Sequence, residues 1–394
     1  MEMVPGDGYF LTNSEQGFQD FSMVPDLKTI RLLPWQPGTA FVLCDAVSRD
    51  GTPIDAAPRN ILKRQIARAA RAGVSFKCAS ELEFFLFRNS YEEAWNSRYR
   101  ELTPTSRYRA DYNILQSARD VPFIGRLCEM MCSVGIEIEN VKPEWGLGQQ
   151  EITLKYAPAL EMADRHLLYK AWVKELAAQH GLSATFMAKP FINEVGSSCH
   201  IHISLWDSAG TTPLGFDPAG TRHMSSTFGA FVAGLIAGGR SYAWMVAPSV
   251  NSYKRFRPNA FAPIRLDVGM DNRTCGFRIV GDEASFRVES RLPGADANPY
   301  LALAGTLASG LDGIDDGLPT PSLAHEDPPQ DAAYARIPSS MGEAIGEFAA
   351  SVRARASLGP EVHAHLLNFA RDELAAFEQD TVTDWEMMRY FERI

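Results

Sequence analysis

A chain of 394 residues that is 45% hydrophobic can bury a large core and exceeds the usual length of one domain, so one large domain with a small one is expected. The formal net charge of -10 argues against a nucleic-acid partner, because neutralising phosphates takes clustered Lys and Arg, and it suits a cationic or metal-bound ligand. No window is apolar enough to span a bilayer, the start MEMVPGDGYF lacks a basic and an apolar signal region, and the six cysteines form no CxxC pair; a cytoplasmic protein with free, mostly buried thiols is expected.

In chain order, the first clear helix opens at Pro58 in PRNILKRQIARAARAG and ends at Gly73. A strand, ASELEFFLF, follows, with Glu81 and Glu83 on one face and Leu82, Phe84 and Leu86 on the other. Asp120 is read as the cap of DVPFIGRLCEMMCSVG, which ends at Gly135. In the strand GQQEITLKY, Gln149, Glu151, Thr153 and Lys155 oppose Ile152, Leu154 and Tyr156. The helix LEMADRHLLYKAWVKELAAQHG ends at Gly181, and GSSCHIHISLW then sets His200, His202 and Ser204 against Cys199, Ile201, Ile203 and Leu205. A helix over 222–238 precedes the strand SFRVESRLP, where Arg287, Glu289 and Arg291 oppose Phe286, Val288 and Leu292. Helices over 299–312, 341–356 and 361–378 close the chain.

Four strands thus carry ionisable groups in phase. A solvated sheet face is ordinarily Lys, Thr, Ser and Gln; here it is rich in Glu, His and Arg, and carboxylates brought close would repel unless a cation lay between them. The expected fold class is α+β: a curved antiparallel sheet, backed by helices, whose polar face lines a cavity.

Hard divalent cations prefer carboxylate oxygens, and one imidazole tilts the preference toward Mn²⁺ without excluding Mg²⁺. The candidate ligands are Glu81, Glu83, Glu144, Glu151, Glu289 and His200. Arg255, Arg273, Arg278, Arg287 and Arg291 are fork-shaped donors for phosphate or carboxylate. There is neither a GxxxxGK[ST] nor a GxGxxG loop, so a nucleotide would be held otherwise. A lone ExE on a strand is more often a solvated face, and arginines alone can be structural; it is the conjunction over several strands that points to a site. His363 and His365, two apart on a helix, do not face each other and are read as structural.

The blocks ELEFFLF, KPEWGLGQQE, GSSCHIHISLW, NSYKRFRPNAFAP, NRTCGFRI, FRVESRLPGADANPYLALAG and VTDWEMMRYFERI occur in the order found in the glutamine synthetase family, which the chain resembles over nearly its whole length, and within it the branch making γ-glutamyl amides of amines and polyamines. The resemblance implies a guanidino-kinase-like catalytic domain over 56–394 after a partial β-grasp domain over 1–55. It implies ATP and two to three Mg²⁺ or Mn²⁺, one ion held by Glu83, Glu144 and Glu151 and another by Glu81, His200 and Glu289. His202 and Ser204 would contact nucleotide phosphate, Glu139 and Tyr156 the nucleoside, and Arg273, Arg278 and Arg287 the phosphates. Arg255 would grip the α-carboxylate of the acid, Arg291 would lie at its reacting carboxyl group, Gly196 would sit in the acid-binding loop, and Asp7 would assist amine deprotonation. Small-molecule partners and a homo-oligomer, in the family a double ring, complete the expectation.

Three departures stand out. Where glutamine-forming members carry a glutamate six residues after the arginine of YKR, this chain has Phe261, an apolar wall that cannot take a proton from ammonium. Val195 replaces the asparagine before Gly196, and the strands expected before the DG of PGDGYF are missing. The expected function is therefore an ATP-dependent ligase joining glutamate to an amine other than ammonia, such as a polyamine, ethanolamine, alkylamine or arylamine. The alternatives are a true glutamine synthetase, a kinase phosphorylating a nitrogen substrate, and an inactive structural or regulatory family member. The short segment around Tyr334 does not look like a modified tyrosine loop, and Tyr334 is read as an ordinary loop residue.

Overall fold

The computed structural model describes residues 20–324 and 334–392, so Asp7 lies outside the described residues. Near the start, β1 (Ser22–Pro25) pairs with β4 (Cys44–Val47), and β2 (Arg31–Leu32) with β3 (Ala40–Phe41), both antiparallel. Arg59, in the first turn of the helix Pro58–Arg71, fastens this segment: its guanidinium meets Asp26 at 2.9 Å, Asp45 at 2.7 Å and the buried Asp164 at 2.9 Å.

The main sheet has eight strands. Seven of them, β5 (Val74–Phe87), β6 (Ile138–Pro143), β7 (Gln149–Pro158), β9 (Cys199–Asp207), β10 (Val268–Met270), β11 (Phe277–Val280) and β12 (Arg287–Ser290), lie in the order β10-β11-β12-β9-β5-β7-β6. The eighth, β8 (Ser183–Thr185), pairs with the end of β5 beyond the reach of β9. All pairings are antiparallel except β10 with β11, a departure from the uniformly antiparallel sheet expected. The inward face is apolar, with Leu82, Phe84, Leu86, Ile152, Leu154, Cys199, Ile201, Ile203 and Leu205 all buried. It packs in one core with apolar residues of the helices Ala159–Gln179, Ser226–Gly238 and Pro299–Asp315.

Local chemistry moves several expected boundaries. The helix expected over 341–356 is two, Met341–Ala350 and Val352–Leu358, because Ser351 turns extended and its hydroxyl accepts from the amide of Ala354, starting a new helix. The helix expected from 222 begins at Ser226, capped by Ser225, while Arg222 sits at φ 54° in a separate turn. Asp120 stands at the N-cap position of Val121–Ser133, yet its carboxylate makes no cap and accepts instead from the Gln150 amide at 2.7 Å. Cys78, Cys199 and Cys275 are buried and free as expected, whereas Cys132 is exposed. His363 is structural: it is buried, its ring stacks on Phe348 with centroids 4.4 Å apart, and its Nε2 meets the Phe348 carbonyl at 2.9 Å.

Two β-bulges interrupt the strict alternation read from sequence. Between the pairs Ser80–Leu154 and Cys78–Ala157, β7 has one residue more than β5. The extra residue reverses the phase of β7, and Tyr156, expected on the apolar face, is 55% exposed on the polar one. A second bulge, in β6 between Ile138 and Asn140, leaves Glu139 as the unpaired extra residue, exposed at the sheet's edge.

Candidate active site

Register alone gathers the ionisable groups. Glu81 lies opposite His200, Glu83 opposite Glu151, Lys142 opposite Glu151, and Glu289 opposite both His202 and Arg278. Directly facing residues on one side of a sheet hold their Cβ atoms about 5 Å apart, so these pairs meet without help from loops. Above them lies a cavity of about 1110 Å³, lined among others by Glu81, Glu83, Glu144, Glu151, Gly196, His200, Arg255, Phe261, Arg273, Arg278 and Arg291.

One end of the cavity is starved of positive charge. Carboxylate oxygens of Glu83, Glu144 and Glu151 all lie within 4.8 Å of one another. Burial, followed by the charges of Glu83, Glu81 and Glu144, pushes Glu151 up to about 9; burial and Glu83 raise Glu144 as well. Lys142 partly offsets this, its ammonium touching Glu144 and lying 4.0 Å from Glu151. Glu83 is fixed rather than free: the Ser198 amide and the Gln149 side chain donate to Oε2 at 2.9 and 3.0 Å, and the Ser198 hydroxyl donates to Oε1 at 2.5 Å. Acids brought to carboxylic pKa values this high, with one oriented by three donors, form a donor set suited to a hard divalent cation.

The other end is already balanced. His200 Nδ1 is 3.2 Å from Glu81 Oε2 and 3.4 Å from Glu289 Oε1, so the expected trio converges on one nitrogen. Glu289 also accepts from Arg291 at 2.5 Å and Arg278 at 2.9 Å. Burial would raise both acids, but the hydrogen bonds of His200 and His202 hold Glu81 well below the carboxylate range, and positive neighbours led by His200 and Arg291 hold Glu289 at about 2. Both are therefore ionised, ready ligands.

His202 lies in this cluster. Arg287 Nε donates to its Nδ1 at 3.1 Å, which leaves the proton on Nε2, and Nε2 donates to Glu81 Oε1 at 2.7 Å. The arrangement orients Glu81, and His202, Glu81 and Glu289 also present ligand atoms within 4.8 Å of one another. Ser204, the next outward-facing residue of β9, donates to the Lys77 carbonyl and accepts from Trp206 Nε1 at 2.8 Å. Here Lys77, four residues along β5 from Glu81, lies 3.4 Å from the Trp206 ring centroid and 5.9 Å from that of Tyr156. Tyr156 and Ser204 thus share an aromatic, cationic corner that sequence reading did not include; alternation in HIHISLW would have put Trp206 on the polar face.

The acid-binding residues form a third group. Arg255 is 2% exposed, donates to the Leu292 carbonyl at 3.0 Å, and its stem passes Gly196 so closely that a Cβ there would come within 2.8 Å of Arg255 Cγ and 2.7 Å of the Ala188 carbonyl. Only glycine fits. Phe261, at φ 59°, is 71% exposed and faces the cavity with Tyr112 and Trp145, two aromatic residues the sequence reading missed. Arg109 joins these walls: it makes an ion pair with Glu194 at 3.0 Å, donates to the Trp145 carbonyl at 3.0 Å and lies 5.3 Å from the Trp145 ring centroid.

A buried pair of acidic and histidine clusters facing a row of arginines is the layout of an enzyme that transfers a phosphoryl group near a carboxylate. The glutamine synthetase catalytic domain matches residues 55–390, and the chain belongs to the glutamine synthetase family. It is 44% identical over 393 residues to gamma-glutamylethanolamide synthetase of Streptomyces coelicolor, covering 98% of this chain and 82% of that one. It is 36% identical to a glutamate–isopropylamine ligase of a Pseudomonas species, covering 98% and 85%. The fold superposes on the solved GmaS–ADP complex with a TM-score of 0.84 at 32% identity, over 94% of this chain and 85% of that one. Among the described residues no helix is long and apolar enough to cross a membrane.

Proposed function

We propose that the chain, an ATP-dependent carbon–nitrogen ligase, joins the γ-carboxyl group of glutamate to an organic amine rather than to ammonia. The observation that carries this reading is the wall of the cavity: Phe261, Tyr112 and Trp145 line it with aromatic side chains, none of which can take a proton from ammonium. Aromatic faces favour an alkyl or aryl substituent and attract a protonated amine weakly. The names of two relatives, an ethanolamide synthetase and an isopropylamine ligase, support the same class of substrate.

Glu83, Glu144 and Glu151 would hold one divalent ion, and Glu81, His200 and Glu289 a second, Mg²⁺ or Mn²⁺ by their oxygen-rich donors. Bound there, the ions neutralise phosphate oxygens. Arg255 orients the acid through its α-carboxylate, while Arg273 and Arg278, with Arg287 beside His202, face the phosphates. The γ-carboxylate oxygen attacks the terminal phosphorus, the bond to ADP breaks, and an acyl phosphate forms; Arg291, in the same cavity, stabilises negative charge on the carboxyl oxygens. The amine nitrogen, having lost a proton, then attacks the acyl carbon and phosphate leaves. Asp7 is the proposed proton acceptor, His202 and Ser204 the proposed contacts to nucleotide phosphate, and Tyr156 and Glu139 the nucleoside end.

Residues 1–55 are proposed to belong to a β-grasp unit in a cytoplasmic homo-oligomer. The exposure of Met23, Leu27 and Leu32, at 76%, 69% and 75%, supports coverage by another subunit, and light scattering checks it. The function is tested by phosphate release with glutamate, ATP and a panel of amines: turnover with at least one organic amine well above that with ammonium is expected, and ammonium performing as well as every amine would refute the specificity.

A further inference from the structure

The acid-binding residues sit on a frame of loops rather than on the sheet. Arg255 ends the turn Ser252–Arg255, Gly196 precedes β9, and Arg291 follows β12. All three meet at residues 292–297. The Arg255 guanidinium bonds the Leu292 carbonyl, the Cys199 amide donates to Pro293 at 3.0 Å, Gly294 donates to Val246 at 3.1 Å, and Ala295 donates to Ser197 at 3.1 Å. Ser249 and Ser252, just before Arg255, donate to Asp296 Oδ2. A shift of this segment would move the grip on the acid at Arg255 and reach β9 through the Cys199 amide.

Two lysines hold the frame, and both bond main-chain carbonyls rather than carboxylates. Lys170, on the face of the helix Ala159–Gln179 that lies behind the sheet, donates to Ala295 at 2.7 Å and Ala297 at 3.2 Å. Its neighbours on the same helical face also serve as tethers: Tyr169 donates to the Leu82 carbonyl at 3.2 Å, and His166 Nδ1 meets Ser80 at 2.8 Å. Lys189, 7% exposed, donates to the Glu194 carbonyl and so closes the loop that carries Val195 and Gly196, and its own amide and carbonyl are both bonded to the Asn251 side chain. Burial lowers both ammonium groups, Lys170 to about 8. Taking a cation from water to face chiefly carbonyl dipoles, with the Phe186 ring centroid 5.4 Å from Lys170, is unfavourable by itself, so the positions are explained by what the carbonyls hold in place.

We infer that Lys170 and Lys189 are positioning residues that brace the acid-binding frame from its two sides, setting the affinity for the amino-acid substrate through Arg255 and Gly196 without touching it. The inference rests on the proposed function for its substrate. Expected for K170M and K189M is a rise of about tenfold or more in KM for glutamate, with KM for ATP within about twofold and a smaller fall in kcat. K170R and K189R, which can still donate to carbonyls, restore much of the loss. Hydrogen exchange gives a second readout that needs no turnover: in K170M the amides of Cys199, Gly294 and Ala295 exchange at least about tenfold faster, while those of Ile279 and Val288 do not change. If the wild-type chain turned over no glutamate, the functional reading would fail and the exchange pattern would still decide the brace. An unchanged KM for glutamate in an active enzyme, equal rises in both KM values, or exchange that quickens throughout the sheet would overturn it.

Discussion

Replacing Glu151 by Gln tests the electrostatic account of the cavity most directly. In the metal-free chain, burial and the neighbouring Glu83, Glu81 and Glu144 lift Glu151 from 4.5 to about 9. Its folded pKa is above its unfolded one, so the folded state binds the extra proton and stability falls as pH rises from about 4.5 toward 9. At pH 7 the group is ionised when unfolded and neutral when folded; about 2.5 pH units at about 1.36 kcal/mol each give a penalty of about 3 kcal/mol. A glutamine carries no such penalty. In EDTA at pH 7, E151Q is expected to be the more stable protein by up to about 3 kcal/mol, about 5 °C in Tm for a chain this long, and the gap shrinks below about 1 kcal/mol near pH 5. Adding Mn²⁺ closes most of the gap: the wild type gains about 2.7 kcal/mol at a hundredfold excess over Kd, while E151Q gains much less. Thermal scans at pH 5 and pH 7, with and without Mn²⁺, read all four states. If E151Q were the less stable protein in EDTA at pH 7, or matched the wild type's response to Mn²⁺, the charge-starved cluster would not be a cation site.

Further outcomes follow from the same geometry. Phe261→Glu, which puts a carboxylate back on the cavity wall, is expected to lower the preference for organic amine over ammonium by about tenfold, about 1.4 kcal/mol, in the phosphate-release assay. Gly196→Ala pushes a methyl group against Ala188 and Arg255 at contacts of 2.7 and 2.8 Å; about 1–3 kcal/mol of strain is expected, read as a raised KM for glutamate with nucleotide binding intact. Arg59→Met leaves the buried Asp164 without its ion-pair partner, so a loss of about 3–5 kcal/mol is expected, with faster proteolysis before residue 56. Arg287→Ala removes the donor that sets the tautomer of His202 and one of the arginines proposed to face the phosphates, and is expected to raise KM for ATP about tenfold while leaving Tm within about 1 °C.

The strands and the acids were legible because a two-residue period survives burial of one face: Glu81, Glu83, Glu151, His200 and Glu289 all lie where alternation put them, and register then brings them together. Tyr156 was placed on the wrong face because a bulge leaves no mark in hydrophobic pattern, its extra residue being polar or aromatic like its neighbours. Gln149 was placed only as one outward residue of its strand and Lys142 was not singled out; nothing in their own identity tells that one fixes Glu83 and the other neutralises Glu144. Trp145 and Tyr112 escaped because loops carry no period at all, and only the folded chain shows that 111–112 and 144–145 meet at one cavity. The helix break at Ser351 was foreseeable, since a serine three residues before Ala354 offers a cap, but a continuous apolar pattern across it outweighed that signal.

The extra residue in β7 changes which sequence parity faces the cavity, odd positions serving the carboxylates and Tyr156 serving the corner with Lys77 and Trp206. Deleting Lys155 would heal the bulge: Tyr156 would stand opposite Ala79 on the polar face, Ala157 would stay buried opposite Cys78, and every acid would stay where it is. The bulge is thus a point where the chain can gain or lose one residue beside Tyr156 while the register of Glu151 with Glu83 is kept.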